Sequence, residues 1–210
     1  MRKLIVLFLG MVVVVATLSA QYQNATDSQK QEVVGKISQA AGEMNTMQSE
    51  FTQVRELSLM DDKITSVGKI YFKKPNKVRL EYTSPYQYAF SIDGQSMKMT
   101  SGGQTTTTPT NQSKLFNEIS KVLIGGISGS NLVDSPDFDT QFSVGKDDFK
   151  VVLVPKKKEV RDLFAAIHLF IGKQDNRIRS IELIEKGGDK TSITLKNLQV
   201  NAPIHDDTFK

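Results

Sequence analysis

Two histidines, His168 and His205, and no cysteine are the whole imidazole and thiol stock of this 210-residue chain. Without a thiol there is no disulfide, no cysteine nucleophile, no iron–sulfur cluster and no thiolate metal site. Two imidazoles are too few for a histidine-rich metal site. Asp134, Asp137 and Asp139 offer oxygen donors but fit no calcium-loop spacing, so they read as a solvated loop ahead of a strand. Gly125-Gly126-Ile127-Ser128-Gly129 is only superficially a phosphate-cradling loop. It lacks the following lysine and does not stand between a strand and a helix, so it reads as a helix stop. No serine, histidine and acid share a local signature, and His168 alternates with apolar neighbours, which turns it outward. Lys156, Lys157 and Lys158 after Pro155 read as a charged turn, although anionic membrane surfaces would attract such a run. Catalysis has no residues to stand on, and neither a cofactor nor a metal is expected.

What remains is the placement of apolar side chains. Residues 28–47 read as an amphipathic helix. Val33, Val34, Ile37, Ala40, Ala41 and Met44 recur on one side, while Lys30, Glu32, Lys36, Gln39 and Glu43 face away. Ser28 with Gln31 supplies a capping box. After Met47 the period becomes alternating. Ile70 and Phe72 mark one strand, Val78, Leu80 and Tyr82 a second, and Tyr86, Tyr88, Phe90 and Ile92 a third. Asp93-Gly94 is a hairpin turn, and Met97 and Met99 lie on the return strand, ended by Gly102-Gly103. Residues 111–124 restore helical period, with Leu115, Phe116, Ile119, Val122 and Leu123 on one side and Gly125-Gly126 as the stop. The second half is strands again: 138–144 turning at Lys146-Asp147 into Phe149, Val151 and Leu153, then 167–171, 178–184 and 193–200, separated by Asp175-Asn176 and Gly187-Gly188. Seven to eleven strands, two helices and no proline-rich linker or repeat predict a single, mostly β domain in which one antiparallel sheet curls with helices on one face.

Arg2 and Lys3 precede an unbroken apolar run over residues 4–16, and the chain turns polar only at Gln21. The run is shorter than the ~20 residues that span a bilayer, so residues 1–20 read as a signal peptide cleaved near Ala20. The 27 Lys+Arg and 23 Asp+Glu then become 25 against 23, or +2, too little to expect nucleic-acid binding. With 39% hydrophobic and 24% charged residues the chain has ordinary globular composition. Residues 21–210 are expected to form an exported domain burying roughly 70% of its unfolded surface. No cysteine follows the leader, so the protein is not itself a lipoprotein.

The order of these elements carries short motifs: Phe51-Thr52-Gln53, then Phe72-Lys73-Lys74-Pro75-Asn76-Lys77-Val78-Arg79-Leu80-Glu81-Tyr82, Pro85, Ser91-Ile92-Asp93-Gly94, and a closing Ile204-His205-Asp206-Asp207-Thr208-Phe209. In this order, over nearly the whole mature chain, they resemble the LolA family, periplasmic carriers of outer-membrane lipoproteins. The resemblance implies an incompletely closed antiparallel β-barrel, a strongly curved sheet whose helices form a lid over an apolar cavity for acyl chains. It implies a soluble periplasmic monomer acting as a lipoprotein-transport chaperone in outer-membrane biogenesis. Its implied partners are the acyl chains of outer-membrane lipoproteins, an inner-membrane ATP-binding-cassette extractor that loads it, and an outer-membrane acceptor, which some members have and others lack. Where the family places an arginine before the proline to latch the lid, this chain has Lys74, a single mobile ammonium in place of a rigid fork.

Alternation alone does not distinguish a filled core from a hollow one. If the face is hollow, the candidate acyl-chain lining is Phe51, Ile70, Phe72, Val78, Leu80, Tyr82, Tyr88, Phe90, Ile92, Met97 and Met99 from strands, with Val34, Ile37, Leu115, Phe116, Ile119 and Leu123 from helices. Val78→Glu is expected to impair transfer with modest loss of fold. A chain of ~15 methylenes at ~0.8 kcal/mol each resists leaving a bilayer by roughly 12 kcal/mol, so loading needs an energy source and the carrier needs a pliable lining. Two other readings share the fold: a lipid- or lipoprotein-sensing regulatory module, and a carrier of another amphiphile such as a glycolipid. Ester hydrolysis ranks last.

Overall fold

The computed structural model describes residues 22–60, 62–109, 118, 121, 124, 125 and 135–210. After β1 (Gln23–Asn24) and helix α1 (Asp27–Glu43) come β2 (Thr46–Leu57), β3 (Asp62–Lys73), β4 (Lys77–Ser84), β5 (Tyr88–Ile92), β6 (Ser96–Ser101) and β7 (Gln104–Pro109). Then follow β8 (Phe138–Val144), β9 (Asp148–Pro155), one helical turn (Lys158–Arg161), β10 (Phe164–Gly172), β11 (Ile178–Glu185), β12 (Lys190–Val200) and a closing 3-10 turn (Asp206–Phe209). All of these strands join one antiparallel sheet in the order β1-β8-β9-β10-β11-β12-β2-β3-β4-β5-β6-β7. Among the described residues β1 and β7 are its two margins and do not pair with each other, so the curled sheet does not close into a full barrel.

Register makes one continuous inner face. Directly opposite residues put their side chains on the same side, and Leu153, Ile167 and Leu183 are linked in this way, as are Leu169, Ile181, Ile193 and Gln53. Two apolar clusters occupy that face. One joins Val33 and Ile37 of α1 to Phe138, Phe142, Val151, Leu153, Ile167, Leu169, Ile171 and Ile178. The other joins Met44 and Met47 to Phe51, Ile70, Phe72, Val78, Leu80 and Tyr82, with Ile124 packed against it.

α1 differs from its expected bounds at both ends. Its capping box is Thr26–Gln29, not Ser28–Gln31: Gln29 N–H donates to Thr26 Oγ1 at 3.3 Å and Thr26 N–H to Gln29 Oε1 at 2.9 Å. Both pairs have box spacing, and tertiary pairing chooses between them. β1 is paired with β8, and Ala25 N–H donates to the Phe142 carbonyl at 3.0 Å, so the chain arrives extended and Thr26 is the first residue able to cap. The helix ends at Glu43, short of 47, because Met47 is already laddered between Phe72 and Val200. Alternation also missed β1 and β7. A two-residue strand has no period, and β7 is a run of threonines with no apolar alternation.

Beyond β12 the chain turns back as a strap. Ile204 and Phe209 are buried, and the Asp206 carboxylate accepts hydrogen bonds from Lys73 and Lys77, each at 3.0 Å. Those two donors hold the Asp206 carboxyl at about 2, well below its ordinary value of 3.8.

Candidate functional site

The motifs in the first half of the sheet meet on its inner face. Phe51 of β2 lies opposite Gly68 of β3, which lies opposite Tyr82 of β4. A side chain at Gly68 would not fit. Its Cβ would lie 2.2 Å from the Glu81 carbonyl oxygen and 2.8 Å from Phe51 Cζ. The space left by that hydrogen admits the Phe51 ring edge-on to Tyr82, centroids 5.0 Å apart, and Tyr82 stacks on Tyr88 at 4.2 Å. The Tyr82 hydroxyl donates to Gln53 Oε1 at 2.8 Å, and burial pushes its phenol well up from its ordinary value. Phe51 and Gln53 thus act together on Tyr82, which ties the F-x-Q motif of β2 to the tyrosine that ends the K-P motif; Gln53 is a site residue that alternation, which follows apolar side chains, does not mark.

Asp93-Gly94 works in the same way on the proline loop. Gly94 adopts φ +87°, and a Cβ there would lie 2.0 Å from Asn76 Nδ2, so the D-G turn packs directly on the K-P-N loop.

Three rows of apolar side chains cross this half of the sheet. Met47, Phe72, Val78, Ile92 and Met97 form one row, Ile70, Leu80, Phe90 and Met99 a second, and Phe51, Tyr82 and Tyr88 the third. Exposure rises along the rows. Phe72, Val78 and Ile92 are fully buried, Tyr88, Phe90 and Met97 are half-buried, and Met99 is 52% exposed. The inner face is therefore sealed at its middle and accessible at its β5–β6 margin.

Of the predicted lining, the strand residues share one face. Ile37 and the half-buried Val34 do not join them: α1 lays both against the second half of the sheet, beside Phe138 and Phe142. Leu115, Phe116, Ile119 and Leu123 lie outside the described residues. Val78 has no exposed surface, so a glutamate there would place a charge in the core, and the modest loss of fold expected of Val78→Glu does not hold. Half-buried Phe90 is the better probe.

Lys74 donates through Nζ to the Gly42 carbonyl at 2.7 Å, in the last turn of α1. That turn carries no basic residue of its own, so Lys74 supplies the cation that the helix C-terminus favours. A second set of polar ties reaches Glu118, whose carboxylate accepts from Lys121 at 3.0 Å and from Lys157 at 3.1 Å. Lys157 also pairs with Asp137 at 2.9 Å. The lysine run is ion-paired without being buried: Lys156 pairs with Asp139 and Lys158 with Asp162. His168 faces away from the apolar clusters, opposite Glu182, with Nδ1 3.1 Å from the Glu182 carboxylate. Among the described residues, no cluster of three or more acids or histidines could hold a metal ion. One cleft lined by described residues lies between Asn45, Lys73, Asn201, Ile204 and Asp206, with polar and apolar groups in nearly equal share.

The family model for outer membrane lipoprotein carrier protein LolA matches residues 42–210. A protein named outer-membrane lipoprotein carrier protein from Cupriavidus taiwanensis is 27% identical over 155 residues, 70% of this chain. That match spans 66% of the relative's length. One of the same name from Albidiferax ferrireducens is 22% identical over 172 residues, 80% of each chain. Among solved structures, an uncharacterized conserved protein from Thermus thermophilus superposes with a TM-score of 0.52 at 12% identity, covering 85% of this chain and 91% of that one. That likeness is one of fold alone.

Proposed function

This chain belongs to the LolA family of outer membrane lipoprotein carrier proteins, and from that premise we propose that it is a periplasmic carrier. It takes up the acyl chains of lipoproteins released from the inner membrane and delivers them to the outer membrane. Residues 1–20 direct export and are removed, and the remaining chain works as a monomer. The observation that carries this reading is the gradient of exposure along the three apolar rows. Side chains that are sealed in the middle of the sheet become accessible at Tyr88, Phe90, Met97 and Met99, where a fatty tail would gain contact without opening the core.

The physical task is consistent with that architecture. A single acyl chain resists leaving a bilayer by roughly 12 kcal/mol, so the lifting step falls to an ATP-driven extractor in the inner membrane. The carrier has only to match most of that burial and yield it again. Thioethers at Met97 and Met99 adapt to an irregular tail. The polar ties from Lys74 to α1 and from Lys157 to Glu118 are exposed or half-exposed, of the kind worth about 1 kcal/mol or less each, so they hold the closed form without locking it. An outer-membrane acceptor, or the membrane itself, then receives the cargo. No covalent step is asked of any side chain.

The test is release of lipid-anchored proteins from spheroplasts. Purified protein should bring them into the soluble fraction, and Phe90→Glu, which places a charge at the accessible end of the lining, should lower release at least tenfold while melting within a few degrees of wild type. Equal release with and without the protein would overturn the carrier reading. Cargo that binds but is never passed to outer-membrane vesicles would mark a sensing module in its place.

A further inference from the structure

The large apolar side chains that the fold leaves exposed are unevenly placed. Leu59 (94% exposed), Met60 (68%) and Tyr86 (77%) occupy the β2–β3 and β4–β5 connections, and Leu163 lies just before β10. The antiparallel order brings all of these connections to one end of the sheet. Among the described residues, the connections at the opposite end expose no large apolar side chain.

At that end the β2–β3 hairpin also outruns one of its two neighbours. Residues 62–66 of β3 pair with β2 alone, and β4 joins only at Val67 opposite Ser84. The β2–β3 ribbon therefore projects beyond β4 by on the order of 16 Å, while on its other side β12 accompanies β2 as far as Lys190 opposite Glu56 and Ser58 N–H donates to Asp189 at 3.0 Å; Leu59 and Met60 lie at the tip. Nothing in the packing asks for them: neither belongs to either apolar cluster. Exposed apolar residues gathered at one place mark a docking surface.

The charges around the tip indicate what docks. Lys63 is more exposed than its partner Glu56, and Lys158 and Lys186 are each more exposed than their shared partner Asp162. Arg55 is likewise more exposed than Glu185 and Asp189. The cationic member of each of these pairs is thus the more exposed one, beside an apolar tip whose base carries the exposed carboxylate of Asp62, and near a tyrosine. A phospholipid surface presents the complement: phosphates at the headgroup level, hydrocarbon below, and an interface that favours tyrosine.

We propose that this end of the molecule docks on a phospholipid bilayer, with Leu59 and Met60 inserted at the boundary between headgroups and acyl chains. The surface would bring the carrier into direct contact with the membrane. The proposal stands on the tip alone and does not depend on what the inner face binds.

The chain has no tryptophan, so a single introduced indole reports cleanly. With cargo-free vesicles of phosphatidylethanolamine and phosphatidylglycerol, the emission of Leu59→Trp should shift to the blue and be quenched by lipids brominated on the acyl chain. Lys146→Trp, in the β8–β9 turn at the opposite end, should show neither change. Leu59→Asp combined with Met60→Asp should lower vesicle co-flotation of the protein at least tenfold while leaving its melting temperature in place. An unshifted, unquenched Leu59→Trp overturns the proposal. So does equal quenching at Lys146→Trp, which would mean adsorption without orientation. If Leu59→Trp ignores vesicles but the double aspartate variant fails to deliver cargo to membranes, the tip serves a protein partner and the bilayer is excluded. The fluorescence and flotation outcomes need no cargo, so failure here and failure of the carrier reading are separately visible.

Discussion

Gly68 is the residue on which the aromatic cluster turns. Its missing side chain is the space that Phe51 occupies, and the nearest obstacle to a Cβ is the Glu81 carbonyl oxygen, part of the backbone, which cannot swing aside. Gly68→Ala should therefore destabilise the protein by about 2–3 kcal/mol in chemical denaturation, the cost of overpacking a tight site. A loss below about 0.5 kcal/mol would mean that the sheet can spread there without penalty. The Tyr82–Gln53 hydrogen bond gives a second, smaller number. Tyr82→Phe removes the donor and leaves the Gln53 oxygen without it, and should cost about 1 kcal/mol. In a double-mutant cycle with Gln53→Leu most of that cost should appear as coupling, which separates the bond from the packing of the rings. Asp206 is the residue to follow by pH. Hydrogen bonds from Lys73 and Lys77 lower its carboxyl from 3.8 to about 2, so its stabilising contribution is complete above the ordinary value and is lost as pH falls through the folded one. The melting temperature of Asp206→Asn should lie below wild type near neutral pH, and the gap should close between about pH 4 and pH 2. A gap that persists unchanged into that range would show that the asparagine disturbs the strap by some other route.

At the scale of elements, two devices tie the ends of the sheet. The C-terminal strap places Phe209 in the core and Asp206 on the β3–β4 hairpin, so the hairpin that supplies Phe72 and Val78 to the inner face is held from outside as well as within. α1 is held by its Thr26–Gln29 box at one end and by Lys74 at the other. Lys74 stands at the position that suggested a latch, and it acts on the C-terminal carbonyls of α1, the helix that covers the second half of the sheet. In its place an arginine would bring a planar fork suited to two acceptors. The lysine makes one bond to one carbonyl. The β2–β3 ribbon, by contrast, ties nothing. Both strands run twelve residues while β4 runs eight, and that difference in length is what leaves the apolar tip standing clear of β4, though not of β12.

At the scale of the whole molecule, an open sheet with one apolar face solves a problem that a closed eight-stranded barrel does not. Closure would fill the interior with side chains, whereas here the margin at β5–β6 leaves aromatic and thioether groups only partly covered. Much of this was legible in the chain alone. The alternation of Ile70, Phe72, Val78, Leu80 and Tyr82 determined the strands and their inner face, because a period of two assigns each side chain to one side of a pleat. The F-x-Q, K-P and D-G motifs marked the family, since each answers a local steric demand. The turn pairs at 146–147, 175–176 and 187–188 lie at observed connections for the same reason. Other features depended on contacts far apart in sequence. Which of two capping boxes starts α1 was decided by β1 pairing with β8, and the placement of Ile37 and Val34 away from Phe51 by the side of the sheet on which α1 comes to rest. The graded exposure from Val78 to Met99 belongs to strand order, as the lone apolar tip at Leu59 belongs to unequal strand lengths. A chain's local pattern specifies which groups must leave water; only the folded sheet, by pairing some edges and leaving others without a neighbour, decides which of them remain within reach of a lipid.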